Sequence, residues 1–219
     1  MKKNSHEYFA WEQNQVVCGI DEVGRGCLAG PLVTAAVILP PNTSYRLLKD
    51  SKEMTQEERL QAHKWITKNC YYSYGIVHHR IIDRHNIWHA TLIAMRRAVM
   101  NLLAIAPKPQ SIVVDAMPLN LQNSCYNDIP IHHFPFGEKK SSSIAAASII
   151  AKVKRDAMME QMNRYFPHYI WYTNKGYGTK KHKWALAEHG SVIVHRKTYL
   201  KNLVLINKIN DPDKQQELF

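Results

Sequence analysis

Apolar positions along the chain alternate between two spacings. Residues 16–20 and 32–39 are apolar runs joined by a glycine-rich turn at 24–30, which predicts two paired strands. Pro40, Pro41 and Asn42 end the second run. Further strands are predicted over 71–78, over 111–114 leading to Asp115, and over 131–134. Helical spacing runs over 55–68, where Thr55 and Glu58 stand at the offset of a capping box. It returns from Ile81 through 87–104, closed by Pro107 and Pro109. Residues 143–164 predict a long helix, small and apolar on one face and basic on the other, stopped by Pro167. A short helix is predicted over 184–189, before Gly190. Residues 1–15 read as a short helix or a frayed arm, and the last dozen as a mobile tail. Strands and helices alternate, so the class is α/β, with no internal repeat and no interdomain linker.

Composition narrows the partner. A chain of 219 residues with 45% apolar and 21% charged positions suits one well-packed globular domain. The net charge of +11 favours a polyanion, such as nucleic acid or an anionic membrane. No apolar stretch approaches the roughly 20 residues of a membrane span, and the first 15 residues lack the apolar core of a secretory signal. Cys18, Cys27, Cys70 and Cys125 are scattered, which fits a reducing cytoplasm rather than a disulfide framework or zinc site. The excess charge is concentrated: residues 138–201 hold 13 Lys/Arg against 4 Asp/Glu. Tyr165, Phe166, Tyr169, Trp171, Tyr172, Tyr177 and Trp184 interleave with them. This mixture reads either as a solvated face or as a surface where rings meet bases and lysines meet phosphates.

The chemistry begins at Asp21 and Glu22, which follow the first predicted strand directly. Adjacent acids at a core edge repel each other and lose hydration, two costs that a hard divalent cation offsets. Asp115 ends a second apolar strand, and carboxylates at strand ends of an α/β sheet are placed to converge. Each alone reads more readily as a cap, turn or surface pair. Together with the basic C-terminal third they point to metal-assisted phosphodiester chemistry.

The motifs go further. GIDEVGRGCLAGPLVTAAVIL, at 19–39, closely resembles the first signature of the type 2 ribonuclease H family, in particular its bacterial ribonuclease HII branch. DSK at 50–52, NIWHATLIAM at 86–95, VVDA at 113–116, SIAAASIIAKVKRD at 143–156, KGYGT at 175–179 and HR at 195–196 follow in the family's order. The resemblance covers residues 16–199. It implies an RNase H-like fold, a central mixed β-sheet flanked by helices, with a C-terminal helical extension. The expected organisation is an arm at 1–15, a catalytic domain at 16–166, a substrate-binding extension at 167–207 and a flexible tail at 208–219.

The resemblance also implies cleavage of RNA in RNA–DNA hybrids and 5′ of single ribonucleotides in duplex DNA. It implies Mg²⁺ or Mn²⁺, two ions per site in the substrate complex, and 3′-hydroxyl and 5′-phosphate products. A cytoplasmic monomer is expected, with no membrane partner. By position, Asp21, Glu22 and Asp115 are implied metal ligands, and Gly24, Arg25 and Gly26 the readers of the ribose 2′-hydroxyl. Glycines let a backbone approach a sugar closely, and that hydroxyl separates RNA from DNA. Tyr177 is implied to pack on the sugar 3′ of the ribonucleotide, favouring deoxyribose there. Lys52, Asn86, Ser148 and Lys152 are implied phosphate contacts, each also open to reading as a cap or helix-face residue.

One position departs from the family pattern. The fourth acid is usually Asp in a Gly-Asp step, and here the step is Gly137–Glu138. The extra methylene shifts the carboxylate by roughly 1.5 Å, a scale to which Mg²⁺ is more sensitive than Mn²⁺. Glu138 is the expected fourth carboxylate, with Asp156 the competing candidate. His182 and His195 have no assigned catalytic role. Two other classes remain open: a non-catalytic nucleic-acid binder with a decayed site, and a DNA endonuclease or transposase of the same general fold.

Overall fold

The two runs flanking the glycine-rich turn form the centre of the sheet. The computed structural model describes residues 4–44, 46–49 and 51–201; the tail expected at 208–219 and the end of the extension at 202–207 lie outside them. Strands β1 (Val17–Val23) and β2 (Leu32–Ile38) pair antiparallel, and β3 (Tyr71–Val77) extends β2 antiparallel. On the other side β4 (Ser111–Asp115) pairs parallel with β1, and β5 (Ile131–Phe134) parallel with β4. The order β3-β2-β1-β4-β5 makes a five-stranded sheet, mixed as the resemblance implied.

Helices cover both faces, which explains why the central strands read as unbroken apolar runs. All seven residues of β2 are buried. Ala36 and Ile38 join Cys18 and Ile20 of β1 against Met95, Ala98, Val99 and Leu102 of α3 (His79–Leu103). Val33, Ala35 and Val37 face α5 (Ser142–Asn163) and α2 (Gln56–Asn69), packing on Ala146, Ala147 and Ile150 and on Ala62 and Ile66. The small face of α5 is core, and it approaches β1 so closely that a Cβ on Gly19 would lie 2.1 Å from the Ser143 carbonyl carbon. The Thr55–Glu58 capping box of α2 is formed from both sides.

Several elements depart from the sequence reading. Helix α3 starts at His79 and breaks at Asn86 (φ 61, ψ 170). The Asn86 side chain accepts the His89 amide at 3.1 Å and so caps the second segment. A one-turn helix, α4 (Gly137–Lys140), precedes α5 and carries Glu138. Helix α1 (Ser5–Glu12) is docked: buried Glu7 accepts hydrogen bonds from the Ser141 hydroxyl and the Ser143 amide, and Asn4 Oδ1 accepts the Ser142 amide. A carboxylate at the α5 N-terminus suits the positive end of the helix dipole.

After α5 come a 3₁₀ turn (Pro167–Tyr169), α6 (Trp171–Asn174) and α7 (Lys180–His189), the last beginning four residues before the expected start at Trp184 because Thr179 caps it. Tyr169, Trp171 and Ala185 form a small core that also takes in Ala29 and Met159. The extension therefore packs onto the turn following β1. Among the described residues no helix is long and apolar enough to cross a membrane.

Candidate active site

Asp21 and Glu22 lie inside β1 rather than after it. Pairing with β2 runs on through Glu22↔Thr34 and Val23↔Val33, whereas the parallel ladder with β4 stops at Ile20↔Val114. Beyond Ile20 the β4 side of β1 is open, and the two acids lie there beside Asp115, the last residue of β4. A Gly137 amide donates to Asp115 Oδ1 at 2.8 Å, which sets Glu138, itself only 6% exposed, one residue from that contact. Ala116 (φ 52) and Phe136 (φ 58) flank this junction in left-handed backbone, the kind of local strain that collects at functional sites.

Electrostatics bind Asp21, Glu22 and Asp115 into one cluster. Burial raises the Asp21 carboxyl well above the usual range, and the charges of Glu22 and Asp115 raise it further. The Ser148 hydroxyl and the Glu22 amide, at 2.7 Å from Oδ1, oppose that rise. Glu22 is pushed up to about 7, chiefly by burial, with Arg25 and Lys52 pulling it down and Asp115 raising it. Its Oε2 is buried with no hydrogen-bond partner, while Arg25 stands 3.5 Å from Oε1.

A buried, mutually repelling set of hard oxygen donors with an orphaned carboxylate oxygen fits a divalent cation of the Mg²⁺ or Mn²⁺ kind. The acids are gathered but not closed into a cage: among the described residues no three acid, cysteine or histidine groups form a ready-made metal cluster. Ser148 also bonds Ser51 at 2.8 Å, tying Asp21 to the segment that carries Lys52. Asp156 instead pairs with Lys152 at 2.9 Å.

The turn after β1 is held from beneath by two arginines that the sequence reading assigned no such role. Arg155 of α5 is fully buried and donates to the carbonyls of Pro31 (2.9 Å), Ala29 (3.2 Å) and Lys175 (2.8 Å). Arg196, equally buried, donates to Gly30 O from Nε and Nη2 and to Arg25 O from Nη1 at 2.8 Å. The Tyr199 hydroxyl donates to the same Arg25 carbonyl at 2.8 Å. Gly24, at φ 95, leaves no room for a side chain, since a Cβ would lie 2.2 Å from Arg155 Nε. Gly26 is the opposite case: nothing lies within 4 Å of its would-be Cβ, so its bare backbone faces open space. A lone arginine reads as exposed, so neither burial was visible in spacing; the HR pair at 195–196 was the one available signal.

Tyr177 is bridged to Cys27, and the two side chains share a hydrogen bond. Its ring is 38% exposed, with Lys152 at 5.8 Å and Arg155 at 5.7 Å from its centroid. The turn, Tyr177 and Lys152 are thus brought together. Asn86 is exposed at the α3 break, where it lines an open groove of about 520 Å³ shared with Arg84, His89, Thr198 and Tyr199. Tyr199, on the wall of that groove, joins it to the Arg25 loop. Lys180, Lys181, Lys183 and Trp184 form an exposed basic and aromatic face on α7.

The chain matches the family model described as Ribonuclease HII over residues 18–201. It is 43% identical to Ribonuclease HII of Levilactobacillus brevis over 190 residues, 86% of this chain and 70% of the relative. It is 41% identical to Ribonuclease HII of Pelagibacter ubique over 186 residues, 84% of this chain and 96% of the relative. The crystal structure of ribonuclease H2 from Pyrococcus horikoshii superposes with a TM-score of 0.67 at 25% identity, covering 84% of this chain and 93% of that one.

Proposed function

The chain belongs to the ribonuclease HII family of metal-dependent ribonucleases H, and from that premise we propose that it hydrolyses the phosphodiester 5′ of a ribonucleotide, in RNA–DNA hybrids and at single ribonucleotides in duplex DNA. The observation that carries this reading is the junction of two devices on one strand end. The repelling acids Asp21, Glu22 and Asp115 adjoin a glycine turn pinned by Arg155 and Arg196, so chemistry and sugar recognition share one rigid base.

Asp21, Glu22, Asp115 and Glu138 would hold Mg²⁺ or Mn²⁺ through carboxylate oxygens. Bound divalent ions, two in the substrate complex, would supply Lewis-acid activation of water and neutralise charge on the leaving 3′-oxygen. The protein's share is positioning. Gly24, Arg25 and Gly26 present backbone groups to the 2′-hydroxyl, and the open space at Gly26 supports a close approach by the sugar. Tyr177 packs on the following sugar, favouring deoxyribose. Lys52, Asn86, Ser148 and Lys152, with the exposed face of α7, hold phosphates without reading bases. The scissile bond then lies against the acids, with a 3′-hydroxyl and a 5′-phosphate as products.

Asp21→Asn tests the assignment. Cleavage of an RNA–DNA hybrid is expected to fall about 10³-fold, while hybrid binding, read by fluorescence anisotropy in Ca²⁺, stays within about twofold. Retained cleavage would remove Asp21 from the site.

A further inference from the structure

Two buried histidines of the extension take no part in the chemistry above. His182 lies in the first turn of α7 and His195 precedes Arg196; they are 0% and 1% exposed. Their Nε2 atoms stand 3.1 Å apart. The rings of Tyr169 and Trp171 close around His195, with centroids at 4.8 and 5.4 Å.

The surrounding donors fix where each ring carries its proton. An indole N–H only donates, and Trp171 Nε1 lies 3.2 Å from His182 Nε2, so that nitrogen is unprotonated. His182 therefore holds its proton on Nδ1 and donates it to the Tyr177 carbonyl at 2.9 Å. At the other ring the Val192 amide donates to Nδ1 at 3.0 Å, nearer than the Val192 carbonyl at 3.3 Å, which marks Nδ1 as the acceptor. His195 consequently donates from Nε2 to His182 Nε2, whose single lone pair it shares with the Trp171 N–H. A one-way chain results, from the Val192 amide through both rings to the backbone of Tyr177.

A proton added to His182 Nε2 would face the N–H groups of Trp171 and His195, so the arrangement favours two neutral rings. The local charges agree. Burial lowers the pKa of both, outweighing the backbone contacts to Tyr177 and Val192 that raise them, and His195 is pushed down to about 4 with His182 and His79 contributing. Among the described residues no carboxylate acts on either ring.

We propose that His182 and His195 are positioning residues for Tyr177, setting through a fixed pair of tautomers where its ring meets the sugar 3′ of the cleavage site. The inference rests on the junction role given to Tyr177 above. The Thr179 amide also reaches the Tyr177 carbonyl, at 2.8 Å. His182 is the contact that links this carbonyl to the core of the extension.

The readout is a preference ratio: kcat/KM for a duplex with one ribonucleotide, divided by kcat/KM for a continuous RNA–DNA hybrid. Tyr177→Ala is expected to lower it about tenfold. His182→Phe, which fills the space but cannot donate, is expected to lower it nearly as far. His182→Asn, whose amide N–H occupies the place of Nδ1–H, keeps it within about twofold even where it unfolds at lower temperature. A purely packing role reverses that order, with Phe tolerated and Asn not, and would overturn the proposal. If Tyr177→Ala leaves the ratio unchanged, the junction reading itself fails and the inference with it. If Tyr177→Ala lowers the ratio and His182→Phe does not, the histidine role alone fails. Long-range ¹H–¹⁵N NMR of the unaltered protein gives an independent check. The Nδ1–H form of His182 and the Nε2–H form of His195 are expected, and an Nε2–H signal from His182 would refute the chain.

Discussion

Asp21 is held in a conformation that favours chemistry over stability. Burial and the charges of Glu22 and Asp115 raise its pKa. A carboxyl whose folded-state pKa is raised stabilises at low pH and loses that contribution as pH rises through it. At neutral pH the cluster is therefore strained when no cation is bound. In the presence of chelator, Asp21→Asn is expected to raise Tm by about 2–4 °C, equivalent to roughly 1 kcal/mol, while cleavage is lost; a lowered Tm in scanning calorimetry would contradict the repulsion. Glu138 poses a sharper question, since its carboxylate sits one residue beyond the Gly137 amide that binds Asp115. On the proposed assignment Glu138→Ala weakens Mn²⁺ binding, read by titration calorimetry, by about 10–100-fold, and Glu138→Asp shifts the Mn²⁺-to-Mg²⁺ activity ratio. Unaltered metal binding in the alanine variant would free Glu138 of that role.

At the scale of elements, the turn after β1 works because others hold it still. Gly24→Ala combines a left-handed backbone, worth about 1–3 kcal/mol of strain, with a contact 2.2 Å from Arg155 Nε. Loss of most hybrid cleavage is expected while secondary structure by circular dichroism persists. Near-normal kcat/KM would show that the turn tolerates displacement. The turn itself was legible from the glycines at 24, 26 and 30 and the family motif, and the sheet and α2 from apolar runs and a cap. The hold on the turn was not legible. Arg155 reaches Pro31 across 124 positions of sequence and Arg196 reaches Arg25 across 171, and a buried arginine has no local periodic signature. For the same reason the continuation of β1 through Asp21 and Glu22 was missed: a polar pair looks like a strand end, but β2 supplies its hydrogen bonds on one side. The break at Asn86 sits within a pattern that is helical on both sides, so spacing alone ran straight through it.

Across the whole molecule, the RNase H-like sheet carries the acids, and the C-terminal extension, α5 and the turn form one packed unit around Ala29, Met159 and Trp171. Acid should loosen that unit. Burial pushes His195 down to about 4 when folded, from 6.5 as the ordinary value. The unfolded chain therefore takes up a proton that the folded one refuses, and stability contributed above about pH 6.5 is lost as pH falls toward 4. With about 1.4 kcal/mol per pKa unit, the shift at His195 is worth on the order of 3 kcal/mol at most. Subtracting the pH–Tm curve of His195→Gln from that of the unaltered protein isolates this contribution, which should shrink between pH 7 and 5; a flat difference curve would contradict it. The central claim, that one strand end unites metal-bearing acids with 2′-hydroxyl recognition, has a more direct test. A 5′-labelled DNA duplex containing one ribonucleotide is incubated with the protein in Mg²⁺ and, in parallel, in Mn²⁺, beside an all-DNA control. The account predicts a single labelled product ending in a 3′-hydroxyl immediately 5′ of the ribonucleotide, and an intact control. Cleavage at any other position, or of the all-DNA duplex, would contradict it.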